Sequence, residues 1–296
     1  MKKYINFFIR FTVTALLVLY LFKKIEITQF LNVFVLINPF VFLFASLLYI
    51  LSSYISTLRW KIFLQEKDLK ISTLFSLYLI GSFFNNILPG IIGGDVVKIL
   101  MIKEKTGIKK AIASVFMERY TGLFALLLIS LIFFILFYNK IPKQIFLWIV
   151  PVSFFGFFVG TVCLMLISKI KFFQEFKDYI FSYTKKQILK GFFYSLIVQF
   201  IVIISVYVIF YGFKISISFF ELCVFLPIII LISMLPISVS GIGVREWCFI
   251  LFFGKSFGEP QVVAVSLLWF LSQAFASTVG GIEYLRFKKP LNVKKK

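Results

Sequence analysis

Long apolar runs separated by short basic connections account for almost the whole chain. Runs of about 18 or more apolar residues, each enough to cross a hydrocarbon core of roughly 30 Å, predict membrane helices near 4–22, 39–58, 112–138, 145–167, 191–211 and 261–285. Two further apolar segments, 71–102 and 221–254, are broken by proline and glycine. The pattern predicts an all-α polytopic membrane protein of about six spanning helices plus two re-entrant hairpins. Eight ordinary spans are the alternative.

The two breaks resemble one another. The first reads Asn85-Asn86-Ile87-Leu88-Pro89-Gly90-Ile91-Ile92-Gly93-Gly94-Asp95-Val96-Val97-Lys98, and the second Leu235-Pro236-Ile237-Ser238-Val239-Ser240-Gly241-Ile242-Gly243-Val244-Arg245-Glu246. Each has Leu-Pro, a glycine five residues after the proline and a basic residue nine after it.

Charge along the connections orients the segments. Lysine and arginine are dense in 59–70, 98–110, 168–190 and the tail 286–296, and sparse in 139–144, 212–218 and 255–260. The positive-inside rule makes the dense connections and both termini cytoplasmic. Because 59–70 and 98–110 are both basic, segment 71–102 should enter and leave on the cytoplasmic side. By the same reasoning 221–254 should enter and leave from outside. Loop 23–38, with Lys23 and Lys24 on the expected outer side, fits this topology least well.

Matched element for element, 4–22, 39–58, 71–102 and 112–138 correspond to 145–167, 191–211, 221–254 and 261–285, each running the opposite way. This predicts an inverted repeat with halves near 1–140 and 141–296, an arrangement in which transporters hold substrate at the repeat interface near the bilayer midplane.

Composition agrees, with 61% hydrophobic residues including 42 Phe. A single transmembrane domain, 1–296, is expected, with no soluble catalytic domain. The net charge of +20 sits between apolar runs, so anionic headgroups and topology explain it better than nucleic acid. The absence of histidine removes imidazole chemistry and histidine metal sites. Cys163, Cys223 and Cys248 lie far apart in apolar segments and read as packing residues. Met1-Lys2-Lys3 precedes an apolar run too long for a signal sequence, and no small-x-small cleavage site follows it.

The breaks carry the candidate chemistry. Backbone outside a helix is tolerated at membrane depth only where protein or a water-filled cavity surrounds it. Pro89 is expected to end or kink the incoming segment, Gly90, Gly93 and Gly94 to allow a tight turn, and Asp95 to begin the outgoing helix. Free amides there would attract an anion such as a lipid phosphate, and Lys98 would add a full charge. The alternative is a structural turn in which Asp95 caps its helix. In the second break Arg245 and Glu246 follow Gly241 and Gly243, and a charge near mid-membrane costs roughly 2.5–3.5 kcal/mol. Arginine suits bidentate phosphate contact. Glu246 has three options: to pair with Arg245, to meet a cationic headgroup or to carry a proton. A purely structural pair is the alternative.

Glu118 and Arg119 stand inside an apolar run, and as helix neighbours they must find different partners. Arg59 is expected to snorkel to the interface. Asn85 and Asn86 either satisfy the hairpin backbone or reach a headgroup. Glu221 and Glu283 are expected at interfaces.

At these points the chain resembles the transmembrane domain of lysylphosphatidylglycerol synthases and related flippase-like membrane proteins. The resemblance rests on Asn86-x-x-Leu-Pro-Gly-x-x-Gly-Gly-Asp95, on Glu118-Arg119-x-x-Gly122, and on Leu235-Pro236 with Gly241-x-Gly243-x-x-Glu246. It implies movement of a lipid between leaflets. In the full-length synthases a separate soluble domain makes the aminoacylated lipid, so lysyltransferase activity is not expected of this chain.

The expected function is a flippase-like translocase of the cytoplasmic membrane. Its substrate would be an anionic or aminoacylated phospholipid, or a polyprenyl phosphate, bound through Asn85, Asn86, Pro89, Gly90, Gly93, Gly94, Asp95, Lys98, Glu118, Arg119, Pro236, Gly241, Gly243, Arg245 and Glu246. The alternatives are a membrane-embedded lipid-modifying transferase using Asp95 or Glu118 as base, an accessory subunit of a separate lipid synthase, and a transporter of small soluble anions. The sequence has no Gly-x-x-x-x-Gly-Lys-Ser/Thr phosphate loop, so ATP-driven pumping is not expected, and no cofactor or nucleic-acid partner is expected.

Overall fold

The computed structural model describes residues 12, 38–66, 68–87, 93–140, 145–167, 179–235, 237–238 and 240–287. Apart from residue 12, the expected helix 4–22 lies outside the described residues, as do Pro89, Gly90 and Pro236. The described chain is all helical: α1 (Pro39–Leu64), α2 (Ile71–Ile87), α3 (Gly93–Thr106), α4 (Ile108–Phe137), α5 (Ile149–Ile167), α6 (Lys185–Gly212), α7 (Phe219–Ser233), α8 (Val244–Phe257) and α9 (Glu259–Arg286). Short 3-10 turns at Tyr138–Lys140 and Ile145–Trp148 join α4 to α5.

The helix limits follow local chemistry. Asn38 caps α1 by accepting from the Phe40 amide, and Pro39 occupies the first turn, where its missing N–H costs nothing. Thr184 and Gln187 form a reciprocal capping box at the start of α6. That cap begins the helix at Lys185 instead of near 191. Helix α1 also runs past the expected end at 58, because Trp60, Phe63 and Leu64 are fully buried and hold its last turns in the protein.

Helices α1, α4, α6 and α9 are long and apolar enough to cross a membrane. Large apolar side chains on their outer faces and on α5, such as Leu136, Phe155, Leu189 and Ile282, are exposed. This is the surface of a protein whose solvent is lipid, and the chain is a multi-pass membrane protein. The interrupted segments form helices of 17 and 14 residues in the first and of 15 and 14 in the second. A helix of 14 residues rises about 21 Å, less than a hydrocarbon core of about 30 Å.

Packing follows a simple rule. Helix α1 packs on α6, α2 on α9 and α7 on α4, while α3 lies between α2 and α4 and α8 between α7 and α9. Helices α1 and α6 each also touch both α4 and α9. Exchanging α1 with α6, α2 with α7, α3 with α8 and α4 with α9 leaves this set of pairs unchanged. The first short helix of each interrupted segment, α2 or α7, thus packs on the long helix of the other set, whereas the second, α3 or α8, packs on that of its own.

Small residues allow these crossings. Ser46, Ser52, Ser53, Ser56 and Thr57 are buried on α1, which presents little bulk to its neighbours. A Cβ on Gly280 of α9 would overlap the Leu79 carbonyl of α2. At the corresponding crossing of α4 and α7, the Ser130 hydroxyl donates to the Val224 carbonyl at 2.7 Å.

Each interrupted segment has its own apolar core. Trp60, Leu64, Leu74, Leu77, Ile80 and Ile102 pack around α2 and α3. The second cluster is aromatic: Phe225 stacks on Phe252 at 4.9 Å, and the Phe210 and Phe253 rings meet edge to face at 5.7 Å. Cys223 and Cys248 are buried in that core, as expected of packing residues, whereas Cys163 is exposed on α5.

Candidate functional site

A polar cavity of about 330 Å³ lies where the two halves meet, lined by residues of α1, α2 and α4 on one side and α6, α7, α8 and α9 on the other. Its charged lining is Arg59, Glu118, Arg119 and Arg245. Tyr49, Ser52, Ser53, Ser56, Tyr78, Ser82, Asn85, Gln199, Ser233, Ser240 and Gln273 supply hydroxyls and amides.

On the N-terminal side, glycines set the geometry. A Cβ on Gly94 would overlap the Gly81 carbonyl, so α2 and α3 touch backbone to backbone. This contact brings Lys98 alongside α2, where its ammonium lies 4.5 Å from the Tyr78 ring centroid and 5.3 Å from that of Trp60. Lys98 is also paired with two carboxylates, at 3.0 Å from Asp95 Oδ1 and 3.1 Å from Glu118 Oε2. Glu118 Oε1 accepts from Arg59 Nη2 at 3.0 Å and from the Tyr78 hydroxyl at 2.8 Å. Asp95 Oδ2 accepts from Arg119 Nε at 2.8 Å. A buried ion pair withstands desolvation only when hydrogen bonds satisfy its remaining lone pairs and protons. Here three donors surround Glu118 and two cations flank Asp95.

Glu118 and Arg119 do find different partners, as their adjacency on one helix requires. Arg59 departs from expectation. Its side chain is 6% exposed and reaches inward to Glu118 and to Ser195 on α6, at 2.9 Å, instead of snorkelling. The reason is helix rotation: Tyr49, Ser52, Ser53, Ser56 and Arg59 share one face of α1, and that face lines the cavity.

The amide at the start of α3 is also committed, since Gly94 N–H donates to Asn85 Oδ1 at 2.8 Å. Asn85 therefore satisfies backbone of the interrupted segment while lining the cavity. Asn86 donates to Ser277 at 2.8 Å and ties α2 to α9.

On the C-terminal side, Ser240, Gly241 and Gly243 adopt positive φ of 52°, 75° and 84°. A Cβ at Gly241 would sit 3.0 Å from the Ser233 carbonyl, so glycine permits the turn by both conformation and space. Helix α8 then starts with Glu246 reaching back to the Gly243 amide at 2.6 Å. Glu246 also accepts from Ser266 at 2.9 Å, and Arg245 Nε approaches it only to 3.4 Å. Arg245 otherwise lies over aromatic faces, 4.8 Å from Phe270 and 5.5 Å from Trp269. Its side chain is 8% exposed and its Nη2 has no hydrogen-bond partner among the described residues.

Of the candidate residues, Asn85, Glu118, Arg119 and Arg245 line the cavity, while Gly93, Gly94, Asp95, Lys98, Gly241, Gly243 and Glu246 form the layer that positions them. The serine face of α1, Tyr78, Gln199, Trp269 and Gln273 also line the cavity and are not among the residues expected from the sequence. The signal for the first was present: serines and tyrosine at spacings of three and four leading to Arg59 in an otherwise apolar run.

Glu221 is buried at the start of α7, with Oε1 unpartnered among the described residues. Glu283 pairs with Arg286 at 3.1 Å on the surface.

A comparison with curated proteins finds no match. The family model described as the lysylphosphatidylglycerol synthase TM region matches residues 7–281, a span that includes both breaks, the Glu118-Arg119 pair and every residue that lines the cavity. The chain therefore belongs to the lysylphosphatidylglycerol synthase TM region family, whose membership points to a lipid-related function in the membrane.

Proposed function

We propose that the protein is a flippase-like translocase that carries a charged-headgroup lipid across the cytoplasmic membrane, with both termini cytoplasmic. The observation that carries this reading is the charged cavity walled by both halves, with Arg119 contributed from one side and Arg245 from the other. The headgroup enters the cavity while the chains stay in lipid. The two halves form an inverted repeat and alternate access by rocking about the α1–α6 contact. The exchange of packing partners between the halves supports that symmetry, and the short helices of the interrupted segments favour re-entrant hairpins over ordinary spans.

A catalytic reading needs Asp95 or Glu118 as a free base. Both carboxylates are held by cations, which favours transport.

The test is headgroup movement by purified protein in proteoliposomes, using labelled anionic, aminoacylated and polyprenyl-phosphate lipids. Movement of one class, reduced in Asp95→Asn and in Arg245→Ala, is the expected result. Unchanged movement in both variants would remove the cavity from the mechanism, and no movement of any lipid by folded protein would sink the translocase reading.

A further inference from the structure

Resting on the translocase reading, we infer that the headgroup bound in the cavity carries a single phosphodiester charge and no cationic amine. The charges and the hydrogen-bond donors around the cavity both point to it. Arg59, Lys98, Arg119 and Arg245 lie in or directly behind the cavity wall, against Asp95, Glu118 and Glu246. Among the described residues, four cations and three carboxylates leave one positive charge for the ligand to balance.

The carboxylates have little left to offer. Glu118 is taken by Arg59, Tyr78 and Lys98, and Glu246 by the Gly243 amide, Ser266 and Arg245. Asp95 is paired with Lys98 and Arg119, and its Oδ1, which accepts no hydrogen bond, is buried beside the Lys98 ammonium. An ammonium brought into this cavity meets arginines and, among the described residues, only carboxylates already paired with cations, so it is desolvated with little compensation.

The donors point the other way. Arg245 has a buried Nη2 without a hydrogen-bond partner among the described residues, and Arg119, whose side chain is 39% exposed, binds Asp95 through Nε alone. A phosphodiester presents two unesterified oxygens and one charge, which suits a guanidinium from each half. Ser53, Ser56, Ser82, Gln199 and Gln273 in the rest of the lining suit an uncharged polyol beyond the phosphate.

The test is binding to the purified full chain in detergent, read by native mass spectrometry. Four probes are compared: dioctanoyl phosphatidylglycerol, its lysyl ester, dioctanoyl phosphatidylcholine and water-soluble glycerophosphoglycerol. Phosphatidylglycerol is expected to bind tightest, with the lysyl ester and the choline lipid at least ~10-fold weaker. Loss of the charge-assisted bonds in Arg245→Gln should weaken phosphatidylglycerol roughly 10- to 100-fold, with partial recovery in Arg245→Lys.

Equal or tighter binding of the lysyl ester by the unmodified protein would overturn the inference without any variant, and so would an Arg245→Gln protein of unchanged affinity. Movement of the lysyl lipid alone in proteoliposomes would overturn it while leaving the translocase reading intact. Arg245-dependent binding of phosphatidylglycerol with no movement would support the inference and sink the translocase reading. Glycerophosphoglycerol binding as tightly as the lipid would keep the phosphodiester site and overturn its lipid source.

Discussion

The two breaks carry the same pattern of Leu-Pro, glycine and a basic residue, yet they treat the basic residue in opposite ways. Lys98 is sealed behind the cavity by two carboxylates and two aromatic rings. Arg245 lines the cavity with one distant carboxylate, two aromatic rings and a spare donor. The difference comes from the neighbouring long helix. Helix α4 offers Glu118 to Lys98, whereas α9 offers Trp269 to Arg245. A repeated motif has thus become a structural cluster in one half and a candidate ligand contact in the other.

The largest expected effect of breaking this contrast is on stability. Glu118→Ala removes the carboxylate that Arg59 and Lys98 share and should destabilise the protein by about 3–5 kcal/mol, read as a lower melting temperature in detergent. Gly280→Ala should follow at about 1–3 kcal/mol, because α2 and α9 must separate to admit a methyl group. Ser130→Ala at the corresponding α4–α7 crossing loses one hydrogen bond and should cost only about 0.5–1.5 kcal/mol.

Trp269→Glu gives the second half the carboxylate that the first half has. It should weaken anionic-lipid binding roughly 10- to 100-fold. A Trp269→Glu protein that binds anionic lipid normally would show that Arg245 does not act through its spare donor. Arg245→Gln should have the smallest effect on melting, about 1 kcal/mol or less, because Glu246 keeps its bonds to Gly243 and Ser266.

Much of this was readable from residues alone. The membrane class follows from apolar runs, and the breaks follow from proline and glycine where a helix should continue. The start of α3 at Gly93 and of α8 at Val244 agrees with the turn glycines and the acidic residues placed after them. The inward turn of Arg59 was harder to read. A cation at the end of an apolar run satisfies hydropathy equally well pointing to headgroups or into the bundle, and only the rotation of α1 decides. The pairing of Lys98 with Glu118 joins residues on different helices, so local sequence cannot fix it. The contrast between Lys98 and Arg245 was hidden for the same reason: the motif is local, while its compensation comes from α4 in one case and α9 in the other.

Headgroup translocation by Arg245→Gln in proteoliposomes, with melting temperature measured on the same preparation, separates ligand contact from structural support. The role of Arg245 as ligand contact predicts a protein that melts close to the unmodified chain and has lost most movement of an anionic phospholipid. Normal movement by that variant would contradict it.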